Sequence, residues 1–143
     1  MSHAWLGALG LVATASWALD FRSIGEVPAV LYGGPSQKTE KLYVVSVASP
    51  VEVISAIDGW AKVRTVGGEI AWVESGALAA RRTVAVTAPV AAIRAAPADT
   101  AAVVVSARKG VVLELLDGTG AWARVRHRDG AQGYLRNDQI WGL

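Results

Sequence analysis

The chain has 143 residues, 52% of them hydrophobic and 18% charged, with a formal net charge of +2. That length suits one domain or two small ones, and the composition is globular, with too little excess charge for a general polyanion binder of the nucleic-acid kind. With no cysteine in the sequence, disulfides, a thiolate nucleophile and a lipid-anchor cysteine are excluded. Valine, glycine and tryptophan are plentiful while leucine and glutamate do not dominate, which favours short strands joined by tight turns.

Residues 1–18, MSHAWLGALGLVATASWA, carry no Lys, Arg, Asp or Glu. The apolar stretch from Ala4 to Ala15 has the length of a signal-peptide core and is too short to span a bilayer. Ser16-Trp17-Ala18 places small residues at the −3 and −1 positions of an export cleavage site, Ala13-Thr14-Ala15 offers a second, and charge begins at Asp20. The segment departs from the usual pattern in having only the amino terminus and His3 where Lys or Arg is ordinarily found. The expectation is a signal peptide over 1–18 and an exported, periplasmic chain starting near Leu19 with no membrane span left after cleavage.

The remainder repeats itself. Displaced by 62 positions, Ala29 to Leu78 aligns with Ala91 to Ile140 without a gap. Ala29, Pro35, Glu52, Trp60, Ala61, Val63, Arg64 and Gly68 meet identical residues, and pairs such as Leu31 with Ile93, Val51 with Leu113 and Trp72 with Tyr134 keep apolar size in register. Two domains follow, over 27–78 and 84–143, each a small meander of strands. Domains of about 60 residues are marginal alone, and the connection from Ala79 to Thr83 is short, so the two are expected to pack together with no long helix after Ala18.

Within each copy the stretches WAKVRTVGGEIAWV and WARVRHRDGAQGYL read as hairpins. A two-residue type I′ turn at Gly67-Gly68 and at Asp129-Gly130 would set Val63 opposite Trp72 and Val125 opposite Tyr134. On that register Ala61, Val63, Trp72 and Tyr134 face the core. Trp60, Lys62 and Arg64, with Trp122, Arg124, Arg126 and Arg128 in the second copy, form an outer row headed by tryptophan.

These motifs, LYGGPS at Leu31 to Ser36 and IRAAPA at Ile93 to Ala98, Gly59-Trp60-Ala61-Lys62-Val63, and the closing Ala71 to Val73 and Gly133 to Leu135, resemble the bacterial SH3-like (SH3b) domain in two copies. The departures are Tyr32 where that family prefers Arg, Ala95 and Ala96 for Ser-Gly, and Ala71 for Gly. The resemblance implies an all-β fold of two tandem SH3-like barrels and a binding module rather than an enzyme, with Trp60 and Trp122 as groove tryptophans. Glu74, Ala77, Arg136 and Gln139 stand where a polyproline-binding groove needs Pro and Tyr, which disfavours that ligand. Bacterial domains of this type accompany cell-wall enzymes and contact peptidoglycan peptides or partner proteins. The expected partner is accordingly peptidoglycan or an envelope peptide, and otherwise an envelope protein for which the chain is an adaptor.

Catalysis has little to work with. His127 is the sole histidine after residue 18, and Ser46, Ser75 and Ser106 lie in no nucleophile motif. The acids are scattered singly, so neither a metal site nor a cofactor is expected. Arg124, Arg126 and Arg128 lie at alternate positions and suit carboxylates or phosphates, with Trp122 stacking on a sugar or peptide plane; the plain structural alternative is a solvated strand face covering Trp122. The second copy carries +2 (seven basic, five acidic residues over 84–143) against +1 (six and five over 27–83), which favours it as the binder.

Overall fold

The computed structural model describes residues 19–118 and 120–143. The signal-peptide expectation falls on residues 1–18, outside the described residues. Two seven-stranded antiparallel sheets account for the fold. The first contains β1 (Asp20–Ile24), β2 (Ala29–Tyr32), β3 (Lys41–Val45), β4 (Pro50–Ile57), β5 (Trp60–Arg64), β6 (Ile70–Glu74) and β7 (Leu78–Ala79), in the order β3-β2-β6-β5-β4-β1-β7. The second repeats that order with β8 (Thr83–Val86), β9 (Val90–Arg94), β10 (Val103–Arg108), β11 (Val112–Asp117), β12 (Trp122–Arg126), β13 (Gln132–Arg136) and β14 (Ile140–Trp141). Among the described residues the helical segments are two three-residue 3-10 turns, Ser75–Ala77 and Asn137–Gln139. The all-β expectation holds.

The displacement of 62 relates β5 to β12 and β6 to β13 residue for residue. It also reaches β1, because Arg22 pairs with Val51 as Val84 pairs with Leu113. The first sheet thus begins at Asp20, ahead of Val27, where the sequence places the domain start.

One expectation is corrected. The β5–β6 hairpin is not closed by a two-residue turn: Thr65 N–H donates to Glu69 O (2.9 Å) and Gly68 N–H to Thr65 O (2.9 Å), leaving a three-residue loop. Only its last residue, Gly68, has a positive φ, +89°, as in a type I turn that ends on a left-handed glycine. The second copy does the same, with His127 N–H on Ala131 O and Gly130 at φ +97°. The extra loop residue moves the register by one, so that Val63 faces Ala71, Lys62 faces Trp72, Val125 faces Gly133 and Arg124 faces Tyr134. Trp72 and Tyr134 therefore join the outer row instead of the core. The type I′ geometry belongs to the preceding turn, where Asp58 and Gly59 have φ of 38° and 85° between Ile57 and Trp60.

With that register each sheet covers its own core, Ile24, Leu31, Val51, Val63 and Val73 in the first and Val84, Ile93, Leu113, Val125 and Leu135 in the second. Burying each such side chain stabilises the fold by roughly 1.5–3 kcal/mol. Gly133 sits where β13 comes close to β9. A Cβ on Gly133 would lie 2.6 Å from the Arg94 carbonyl oxygen.

The domains pack on each other through the Ala80–Arg82 connection. Ser23 and Thr83, buried polar residues, both serve this junction: Ser23 Oγ donates to Arg81 O (2.7 Å) and Thr83 Oγ1 to Ala48 O (2.6 Å). Phe21 meets Trp141 edge to face at 5.1 Å, and Arg82 lies over the Phe21 ring while donating to Gly142 O at 2.8 Å.

Candidate functional site

Alternation along β5 and β12 puts core residues Ala61, Val63, Ala123 and Val125 inward. Trp60, Lys62, Arg64, Trp122 and Arg126 are half-buried on the other face and Arg124 is exposed there, whereas Arg128, expected to continue the stripe, is an exposed residue of the three-residue loop, because β12 ends at Arg126. The row is real as a face, yet its two ends have different surroundings. Trp122 and Arg126 stand four residues apart on an extended strand, about 13 Å.

At the tryptophan end, Trp60 meets Tyr32 edge to face, with ring centroids 5.3 Å apart. Tyr32, the residue that departs from the family's preferred Arg, thus supports the indole. Beside it lies a cleft of about 450 Å³ lined by Pro35, Ser36, Gln37, Gly59, Trp60 and Glu74. Gln37 Nε2 donates to Glu74 Oε1, joining the β2–β3 loop to the end of β6. In the second copy the same two positions, displaced by 62, are Asp99 and Arg136. Arg136 Nε donates to Asp99 Oδ1 at 2.8 Å, Nη2 bonds Oδ2, and the guanidinium lies over the Trp122 ring, 4.9 Å from its centroid. The Arg136 hydrogen bonds hold the Asp99 carboxyl below its ordinary pKa. Trp122 is covered where Trp60 borders an open cleft.

At the other end the arginines are paired. Arg64 Nη1 donates to Glu52 Oε2 at 2.8 Å, and Arg126 donates through Nε (3.1 Å) and Nη2 (2.7 Å) to Glu114 Oε2. Glu52 and Arg64 are two of the identities in the repeat, and a cross-strand ion pair explains why both recur. Only the second copy adds Arg81, whose Nη2 reaches the same Glu114 oxygen at 2.8 Å. Hydrogen bonds from Arg126 and then Arg81 lower the Glu114 pKa. Arg124 Nη2 donates to Gln132 at 3.3 Å, whereas Lys62 and Arg128 form no hydrogen bond or ion pair among the described residues. His127 Nδ1 lies 3.0 Å from Asp129. Among the described residues no group of His, Asp and Glu could hold a metal ion.

The sequence reading put Glu74 and Arg136 at groove positions without a role, and missed Gln37, Asp99 and Arg81. Gln37/Asp99 and Glu74/Arg136 fall at the repeat spacing, so a search for complementary pairs conserved as pairs between copies finds them. Arg81 carries no such signal, because its role depends on how the domains pack.

Two family models, each described as a bacterial SH3 domain, match residues 29–79 and 87–142. The chain carries two bacterial SH3 domains in tandem. A comparison with curated proteins finds no match. Among solved structures the chain is similar to NlpC1 from Trichomonas vaginalis, at 17% identity and TM-score 0.41 over 92% of this chain and 48% of that one. It is also similar to NlpC2 from the same organism, at 16% identity and TM-score 0.41 over 90% and 50%. The tandem SH3 chain spans about half the length of those structures.

Proposed function

We propose that the chain is an exported, non-catalytic module of the bacterial envelope whose tandem SH3 domains bind a cell-wall polymer or peptide, with the Trp60 groove of the first domain as the principal contact. The observation that carries this reading is the open cleft beside Trp60, set against the Arg136 guanidinium that covers Trp122. Trp60 supplies a flat apolar face for a sugar ring or peptide plane, and Glu74 and Gln37 supply hydrogen-bonding groups at its edge. Lys62 and Arg64 extend the row beyond it. Arg124 and Arg126 are the corresponding contacts if the second groove opens.

Sedimentation with purified peptidoglycan sacculi tests the reading: the chain should leave the supernatant with the sacculi. An adaptor for an envelope protein would stay in the supernatant at every salt concentration. That second reading is favoured by the two sheet edges, β3 and β10, which expose Tyr43, Val44, Val103 and Val104, where a partner strand can add by main-chain pairing. Export is tested separately by mass spectrometry of the native protein, which should begin near Leu19; an intact Met1 or Ser2 would contradict it.

A further inference from the structure

A cleft of about 730 Å³ lies between the two domains, at the Arg126 end of the row. Val47 and Ala48 of the first domain and Val111 and Val112 of the second contribute apolar walls. Arg81, Arg126 and Arg128 border it with a single carboxylate, Glu114, which leaves two positive charges uncompensated before His127 is counted. A recess with low-dielectric walls focuses such a field on whatever enters.

The guanidiniums are organised in advance. Glu114 holds both Arg81 and Arg126 on one oxygen, Oε2. Arg81 Nε and Nη1, Arg126 Nη1 and all of the Arg128 guanidinium have no hydrogen-bond partner among the described residues. Two long side chains thus lose their rotamer freedom before a ligand arrives, which lowers the entropic cost of binding. Glu114 Oε1 is left as an acceptor. The first-domain wall is fixed as well: Ala48, in the left-handed region at φ +64°, accepts the Thr83 hydroxyl and donates its N–H to Ile24 O.

We propose that this interdomain cleft binds the acidic end of a short peptide. Carboxylates would meet the unpaired guanidinium N–H groups, small apolar side chains the valine walls, and a peptide N–H Glu114 Oε1. A polyol phosphate fits less well: its hydroxyls would lie against valines, and a dianion is repelled by Glu114 more than a carboxylate is. The site needs both domains, since Arg81, Val47 and Ala48 come from outside the second one. It is separate from the Trp60 groove, and either can fail without the other.

The test is titration of the intact chain with acetyl-Ala-Glu-Ala bearing a free carboxyl terminus, followed by backbone amide shifts and by calorimetry. Shifts are expected at Ala48, Thr83, Val112 and Gly130, and not around Trp60 or Trp122. Arg126→Gln and Arg81→Gln should each weaken binding by about tenfold, the loss of a charge-assisted contact. Arg128→Gln should weaken it with little change in melting temperature, since it makes no hydrogen bond or ion pair among the described residues, and Arg108→Gln, exposed on β10 and outside the cleft, should change nothing. The amidated peptide with Gln in place of Glu should not bind. Absence of binding, shifts confined to the tryptophan grooves, indifference to all three arginine variants, or tighter binding of inorganic phosphate than of the peptide would each overturn the proposal.

Discussion

The two grooves are built on one backbone plan and differ most tellingly in the pair of side chains that bridges the β2–β3 loop to β6. In the first domain Gln37 and Glu74 bridge the β2–β3 loop to β6 beside a half-buried Trp60 that borders an open cleft; in the second, Asp99 and Arg136 make the same bridge, and the arginine folds over Trp122. Exchanging an amide–carboxylate bond for a guanidinium–carboxylate pair therefore does more than strengthen a surface bridge. It leaves one tryptophan beside an open cleft and puts the protein's own cation over the ring of the other. A duplicated domain can thus hold its fold in both copies while its surfaces diverge.

The cores should not share in that divergence. Leu31→Ala and Ile93→Ala are each expected to cost about 2–5 kcal/mol, in equal measure for the two domains, as read by calorimetric unfolding. An unequal cost would place the difference between the copies inside the fold. The junction comes next: Trp141→Ala removes the ring that meets Phe21 and should split a single unfolding transition into two, at an expense on the order of 2 kcal/mol. If the variant still melts in one step, Ser23, Thr83 and Arg82 suffice to couple the domains.

A smaller change sharpens the contrast at the grooves. Arg136→Gln should uncover Trp122, shift its indole N–H resonance and leave that of Trp60 unmoved, with little change in melting temperature because the Arg136–Asp99 pair is exposed. The smallest effect is pH dependence. Asp99 and Glu114 both have pKa values lowered by arginine hydrogen bonds. Their stabilising contributions are complete above the ordinary carboxylate range and are lost as pH falls through the lowered folded values. Acid unfolding should therefore affect the second domain more, and Glu114→Gln should flatten its acid limb. Because Glu52 shows no such clamp by two arginines, Glu52→Gln is the matched control in the first domain.

Much of this was legible in the sequence. The repeat spacing carried the two-domain all-β fold, and period-two alternation placed Trp60, Lys62, Arg64 and their counterparts on the outer face. The hairpin register was not legible from the Gly67-Gly68 and Asp129-Gly130 dipeptides, since the same residues serve a two-residue turn or the end of a three-residue loop. That single residue decides whether Trp72 and Tyr134 are inside or outside. Tyr134→Ala, half-buried and opposite Arg124, is accordingly expected to destabilise less than Ile93→Ala. Net charge per copy pointed to the second domain because a sum of charges does not say which arginines stay available; Arg126 and Arg136 are both held by carboxylates. The interdomain cleft could not be read at all, because Val47, Ala48 and Arg81 meet Arg126 and Arg128 only through packing.

The measurement that bears most directly on the account is sacculus retention of Trp60→Ala beside Trp122→Ala, both checked for cooperative unfolding. The open-groove account expects Trp60→Ala to lose retention and Trp122→Ala to keep it. Retention lost with Trp122→Ala and kept with Trp60→Ala would contradict it, and would make the covered tryptophan the one that binds.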